Sequence, residues 1–183
     1  TMLIATHRKD VIWVNNYIPG LNPLNVDDLT RLEIDVRKRM LITQRFLKEH
    51  MPGFKDSFIL DTASQVGVRC SRRLIGEHVL TGEEILSGTV FPDTIAIGPD
   101  FRHTVSPQHP HWCVPLRSLM AAQVNNLLVA GRCFSSDPVA NDLLAPIQFC
   151  IAMGQGAGTA AALAIRDKVP LRDLDYKVLQ DSL

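Results

Sequence analysis

The clearest pattern of apolar and polar positions runs through Leu29, Leu32, Val36, Met40, Thr43 and Leu47, which recur at spacings of three and four. That period places them on one face and predicts an amphipathic helix over 29–49. Arg31, Glu33, Arg37, Lys38 and Lys48 fall mostly on the other face. Asp27 and Asp28 are candidate N-caps, and Pro52-Gly53 stops the helix. Ahead of it, residues 11–18 (VIWVNNYI) are rich in β-branched and aromatic side chains and predict a strand, broken by Pro19-Gly20. Residues 57–61 and 65–69 read as short strands around a turn. Thr81-Gly-Glu-Glu84 is a capping box that starts a helix of under two turns, ended by Gly88. From Phe91 to Pro110 the chain reads as loop, punctuated by prolines, glycine and aspartate.

The most informative stretch lies further on. Asn126-Leu-Leu-Val-Ala130 is short and almost wholly apolar, and Gly131 ends it. A continuous apolar run predicts a strand buried on both faces, as in a parallel sheet. After a loop of about a dozen residues, Ala145-Pro146 predicts the start of a long helix over 146–167, because proline suits the first helical position. That helix carries Gly154, Gly156, Gly158 and Ala160-Ala161-Ala162, a smooth surface suited to close approach, and Pro170 ends it. The alternation of elements predicts an α/β mixture. A strand, a glycine and then a helix is how such folds present backbone to a ligand beyond the strand's carboxyl end. By spacing alone, a buried helix whose glycines permit close packing explains the same pattern.

Composition narrows the function classes. Lys plus Arg equals Asp plus Glu, at 19 each in 183 residues, so the basic excess usual in nucleic-acid proteins is absent. No membrane span is expected. The nearest candidate, 143–165, is interrupted by Pro146, Gln148, Gln155 and its glycines. The amino terminus has no signal-peptide layout. Cys70, Cys113, Cys133 and Cys150 include no C-x-x-C pair, so no metal site is expected. The cysteines are expected to be reduced thiols of a cytoplasmic protein.

Several segments together resemble the FAD-dependent oxidoreductase family. They are Gly67-Val-Arg-Cys-Ser-Arg-Arg-Leu-Ile-Gly-Glu-His-Val-Leu-Thr81, Val114-Pro-Leu-Arg-Ser-Leu119, Asn126-Leu-Leu-Val-Ala-Gly-Arg-Cys133 and Met153-Gly-Gln-Gly-Ala-Gly-Thr-Ala-Ala-Ala-Leu-Ala164. The resemblance runs in the family's order over roughly residues 10–167. It implies the carboxyl-terminal portion of a Rossmann-like flavoprotein with part of its substrate domain. In that reading, residues 1–118 belong to a substrate or cap domain. Residues 119–169 complete the FAD domain beside the flavin, and 170–183 form a tail. The resemblance implies that Gly131 and Arg132 lie by the ribityl or isoalloxazine region. It also implies that the helix start, with Pro146, Ile147 and Gln148, sits under the pyrimidine edge of the ring. Gly154 and Gly158 would pack against the front half of the dinucleotide fold.

The front motif, G-x-G-x-x-G at a strand-to-helix turn, does not occur in the sequence; Gly154-Gln-Gly-Ala-Gly158 sits inside the predicted helix. The expectation is therefore either an FAD shared with a partner chain that carries the front half, or a chain that is a fragment of a split or truncated protein, together with a small-molecule substrate and a possible homo-oligomer. Departures from the family's pattern support a second expectation, a non-catalytic assembly subunit. Ala145 stands where the family often has arginine, Pro138 where it often has histidine, and Cys70 where glutamate is common.

Four residues are candidate catalytic groups. Arg69 and Arg72, with Arg73, are suited to binding a substrate carboxylate bidentately, or to an ion-pair network with Glu77 or Glu83. His111, with His109 in the same proline-rich loop, is a candidate proton donor near a flavin, or a structural loop histidine. Arg117, just before the apolar run, is a candidate substrate contact.

Overall fold

The computed structural model describes residues 1–99 and 111–183. Contacts divide the chain into two compact units, Thr1–Ser71 and Arg72–Leu183. Helices and short antiparallel sheets alternate, which gives the α/β mixture expected from the sequence.

The first unit is a hairpin and a long helix. Strand β1 (Met2–Ala5) pairs antiparallel with β2 (Ile12–Asn15), with Leu3 opposite Val14. The connecting turn is held by the Thr6 hydroxyl, which donates to the Val11 carbonyl at 2.8 Å, and by a two-pronged Arg8–Asp10 pair. Helix α1 (Val26–His50) extends the predicted helix at both ends. Its N-cap is Asn25 and not Asp27 or Asp28. The Asn25 Oδ1 accepts from the amides of both aspartates at 2.8 and 3.1 Å, leaving their charges free to favour the positive helix start. The segments expected as strands at 57–61 and 65–69 are irregular. Their polar contacts go to α1, where the Glu33 carboxylate accepts from the Val66 amide at 2.7 Å and pairs with Arg37. The Val66 bond, then Arg37, pull the Glu33 carboxyl below the usual range.

The second unit holds the main core. Helix α2 (Gly82–Leu86) begins at the capping box expected from the sequence. The Thr81 hydroxyl accepts from the Glu84 amide, and the Glu84 carboxylate accepts from the Thr81 amide at 2.9 Å. Gly88, at φ +68°, closes this segment. Strand β3 (Thr94–Pro99) interrupts the stretch read as loop, and pairs antiparallel with β4 (His111–Pro115). Its Thr-Ile-Ala-Ile start has ordinary strand propensity, which the surrounding prolines and glycine outweigh in a sequence reading. A 3-10 turn, Leu116–Ser118, follows β4.

Residues 126–130 are a correction to the sequence reading. They form no strand: Leu128 makes a single antiparallel bridge to Met120, and Leu127 is 42% exposed. The segment's partners are the 119–121 backbone. The Val129 amide donates to the Leu119 carbonyl, and the Ala121 amide to the Leu127 carbonyl. No neighbouring strand among the described residues offers the second ladder that a buried parallel strand requires. The loop expected between 131 and 146 contains helix α3 (Pro138–Leu144). Asp137 caps it, accepting from the Ala140 amide at 2.7 Å, and the other oxygen of the same carboxylate accepts from the Gly82 amide at the start of α2.

Helix α4 (Ile147–Asp167) matches the expected long helix, with Pro146 as its N-cap and Lys168, at φ +56°, ending it before Pro170. By length and composition alone it is long and apolar enough to cross a membrane. Its inner face fills the core through Phe149, Met153, Gly156, Ala157, Ala160, Leu163 and Ala164. It packs on β3 at two bare points. A Cβ on Gly98 would fall within the Phe149 ring, and one on Gly156 would lie 3.0 Å from the Ile95 carbonyl. Phe149 also stacks on Trp112, the cross-strand partner of Gly98, with centroids 5.5 Å apart. Helix α5 (Tyr176–Asp181) closes the unit, and its Gln180 amide donates to the carbonyls of Pro92 and Thr94.

The glycines of α4 separate by role. Replacing Gly156 with alanine should destabilise the chain by about 1–3 kcal/mol, because the new Cβ would meet the Ile95 Cδ1 at 2.7 Å and, less yieldingly, the Ile95 Cβ and strand carbonyl at 3.0 Å. Gly158 has open space where its Cβ would be, so Gly158→Ala should be neutral or stabilise by up to about 1 kcal/mol through helix propensity. Urea unfolding of the two variants checks the contrast.

Candidate functional site

The sequence-predicted cofactor residues meet at one place, the junction of a turn and two helix starts in the second unit. Gly131 sits at φ +84°, a conformation that glycine adopts without strain. It opens a turn closed by the Phe134 amide, which donates to the Gly131 carbonyl at 3.0 Å. Arg132 is half-buried in this turn, and its carbonyl accepts from the Asn141 side chain of α3 at 2.8 Å. Asn141 is buried, so this bond fixes the turn against the helix. A Cβ on Gly131 would lie 4.0 Å from the Cys150 Sγ, which brings the first turn of α4 over the same backbone.

Helix α4 starts without a side-chain cap, because its N-cap is a proline. The amides of Phe149 and Cys150 both donate to the Pro146 carbonyl, at 3.1 and 3.2 Å. The earlier amides, of Ile147 and Gln148, belong to the group that a helix cannot satisfy internally. Ile147 is 77% exposed and Gln148 is exposed, so these donors and the positive helix end face outward. Such an end suits the developing negative charge of an electron-accepting ring. Along the same helix, Ile147, Ile151, Gly154, Gly158, Ala162 and Ile165 form one exposed stripe. Nothing lies within 4 Å of a Cβ built on Gly154 or on Gly158.

The candidate catalytic residues are divided between the two units. Arg69 belongs to the first unit and Arg72 to the second, and both are exposed. His111 is the half-buried first residue of β4, next to Trp112 and opposite Pro99. His109 lies outside the described residues. Arg117 is engaged by Asp93, whose side chain is fully buried. The Asp93 Oδ2 accepts from the Arg117 amide at 2.9 Å and from its Nε at 3.0 Å, and Oδ1 accepts from Nη2 at 3.0 Å. Hydrogen bonding to this carboxylate raises the guanidinium pKa still further. Tyr176 stands close enough that burial, and then the Asp93 charge, lift its hydroxyl above the usual range. Arg117 thus has the geometry of a clamp on the loop before β3. No group of three or more His, Cys, Asp or Glu suited to a metal occurs among the described residues.

Sequence reasoning missed Asp93, Asp137 and Asn141. Asp137-Pro138 carries a readable signal, an N-cap aspartate followed by proline at the first helical position. Asp93 and Asn141 have none, because their partners lie 24 and 9 residues away in other elements of the chain.

The model of the FAD dependent oxidoreductase family matches residues 3–183, so the chain belongs to that family. No curated protein and no solved structure matches it. Membership implies FAD as the cofactor and oxidoreduction as the class of chemistry.

Removing charge from the buried partner tests the clamp. Asp93→Asn should lower stability by about 2 kcal/mol. It breaks a charge-assisted bidentate pair inside the core, while the partly exposed arginine regains water. Chemical denaturation at constant pH measures this.

Proposed function

We propose that this chain forms the carboxyl-terminal portion of a Rossmann-like FAD-dependent oxidoreductase and completes the flavin and substrate pockets. The front half of the dinucleotide fold would come from a partner chain or from a further part of the same protein. The observation that carries this reading is the outward face of α4. An uncapped helix start stands beside the positive-φ Gly131 turn and continues into an open glycine stripe. These features fit the ring end of the cofactor: bare backbone for close approach, unpaired amides for hydrogen bonding, and no side chain in the way. They do not supply a phosphate cradle, and the sequence holds no G-x-G-x-x-G turn to do so.

When bound, FAD supplies the electron-accepting ring for hydride or electron transfer. The chain's own contribution is positional. Gly131 and Arg132 would lie against the ribityl or ring region, on a turn that Asn141 holds in place. Pro146, Ile147 and Gln148 would direct the helix end at the ring edge that gains negative charge. Gly154 would let the partner's backbone approach α4 closely. Arg69, Arg72 and His111 remain the candidate substrate contacts. Arg117 would act through its pairing with Asp93, holding the loop that leads into the pocket. The protein would work in the cytoplasm on a small-molecule substrate.

A second reading, a non-catalytic assembly subunit, is favoured by one observation. Ala145 offers no charged group just ahead of α4, where it serves only as the C-cap of α3.

Co-expression with a neighbouring polypeptide that bears G-x-G-x-x-G separates the readings. The expected product is a complex with flavin absorption bands. Gly158→Val should weaken the complex by about tenfold or more, since a loss of about 1.4 kcal/mol suffices. A colourless, tight complex would favour the assembly subunit. Flavin bands from this chain purified alone would contradict the need for a partner.

A further inference from the structure

We infer that Arg172 is the positioning residue of the Gly131 turn: its guanidinium holds together the two backbone segments from which that turn hangs. Its role toward a flavin rests on the reading of the turn as ring-facing; its grip on the backbone does not.

The turn has two flanks, and each hangs on a different stretch of chain. On the leading side the Val129 amide donates to the Leu119 carbonyl at 2.8 Å, and the Ala121 amide to the Leu127 carbonyl at 3.2 Å. On the trailing side the Leu74 amide donates to the Cys133 carbonyl at 2.8 Å. The two supports are joined to each other, by the Glu77 amide to the Met120 carbonyl and by the Ala122 amide to the Ile75 carbonyl. Their pairings are isolated bridges, Gly76 with Ala121 and Met120 with Leu128. Backbone joined in this way opens locally more readily than a full ladder, unless a further contact holds it.

Arg172 supplies that contact to both supports. Its Nη2 donates to the Ala121 carbonyl at 3.0 Å and to the Ala122 carbonyl at 3.3 Å. Its Nε pairs with the Glu77 carboxylate, and its Nη1 donates to the Asn125 Oδ1 in the loop between the supports and Leu127. The arginine stands on the 3-10 turn Leu171–Asp173, which follows α4 and is seated by the buried Leu171 and Leu174. Helix α4 is thereby tied to the Gly131 region from both ends. Cys150 in its first turn lies over Gly131, and the segment after its last turn grips the supports. A lysine keeps the charge but carries one nitrogen in place of a planar fork, so it cannot serve these acceptors together.

Amide exchange of the chain alone, followed residue by residue by NMR, tests the clamp. In Arg172→Lys the Val129, Ala121 and Leu74 amides should exchange faster by about tenfold or more, the effect of one lost bond to a charged group. Gly156→Ala, a core variant destabilised elsewhere, should speed these amides no more than the rest of the second unit. Glu77→Ala, a milder change that leaves the arginine in place, should speed Leu74 more than Val129. The proposal is overturned if Arg172→Lys speeds Val129 no more than the rest of the second unit, or if Glu77→Ala leaves Leu74 unchanged. In the flavin-bearing complex, Arg172→Lys should shift the flavin bands and weaken cofactor binding by about tenfold. Unchanged bands beside faster exchange would overturn the role toward the flavin. A colourless complex of the native chain would instead refute the ring-facing reading, with the exchange rates still deciding the clamp.

Discussion

The second unit depends on how closely α4 lies against β3. A helix over a strand normally stands off by the thickness of two side chains. Here one side is bare at each contact, at Gly98 beneath Phe149 and at Gly156 above Ile95. The approach fixes the rotation of α4 about its axis. With Phe149, Met153 and Ala160 turned inward, Ile147, Ile151, Gly154 and Gly158 must face out. The inner packing therefore determines which face is left for another body, and keeps the start of α4 above the Gly131 turn.

A second constraint operates through buried charge. Asp93 is enclosed, and Arg117 is its answer from across the sheet. Asp93 sits in the loop that leads into β3, and its carbonyl also accepts from the Leu116 amide. Arg117 reads as a substrate contact only while Asp93 is invisible. Once the pair is seen, the arginine's geometry is accounted for within the protein.

Much of this was legible in the sequence because it rests on local chemistry. The periodicity of α1, the Thr81–Glu84 box and the proline-led α4 each need only residues within a few positions. Family membership was legible because several motifs stand in one order. What was not legible depends on distant partners. Residues 126–130 have the composition of a buried strand, but a strand exists only where neighbours offer it hydrogen bonds, and here the 119–121 backbone does so at a single bridge. Strand β3 was hidden for the opposite reason, since its partner β4 lies beyond a stretch of prolines. The gathering of Gly131, Arg132 and the start of α4 followed from the motifs.

Asp137 ends one loop and begins two helices. Its oxygens are divided between α2 and α3, so neither helix start is set independently of the other. An amide side chain has one oxygen, and could keep only one of these bonds. The carboxylate therefore works as a hinge pin: α3, which carries Asn141 and through it the Arg132 turn, cannot tilt without pulling on the segment that follows Thr81. Movement at the Gly131 turn would be felt at the opposite end of that segment, through a single aspartate.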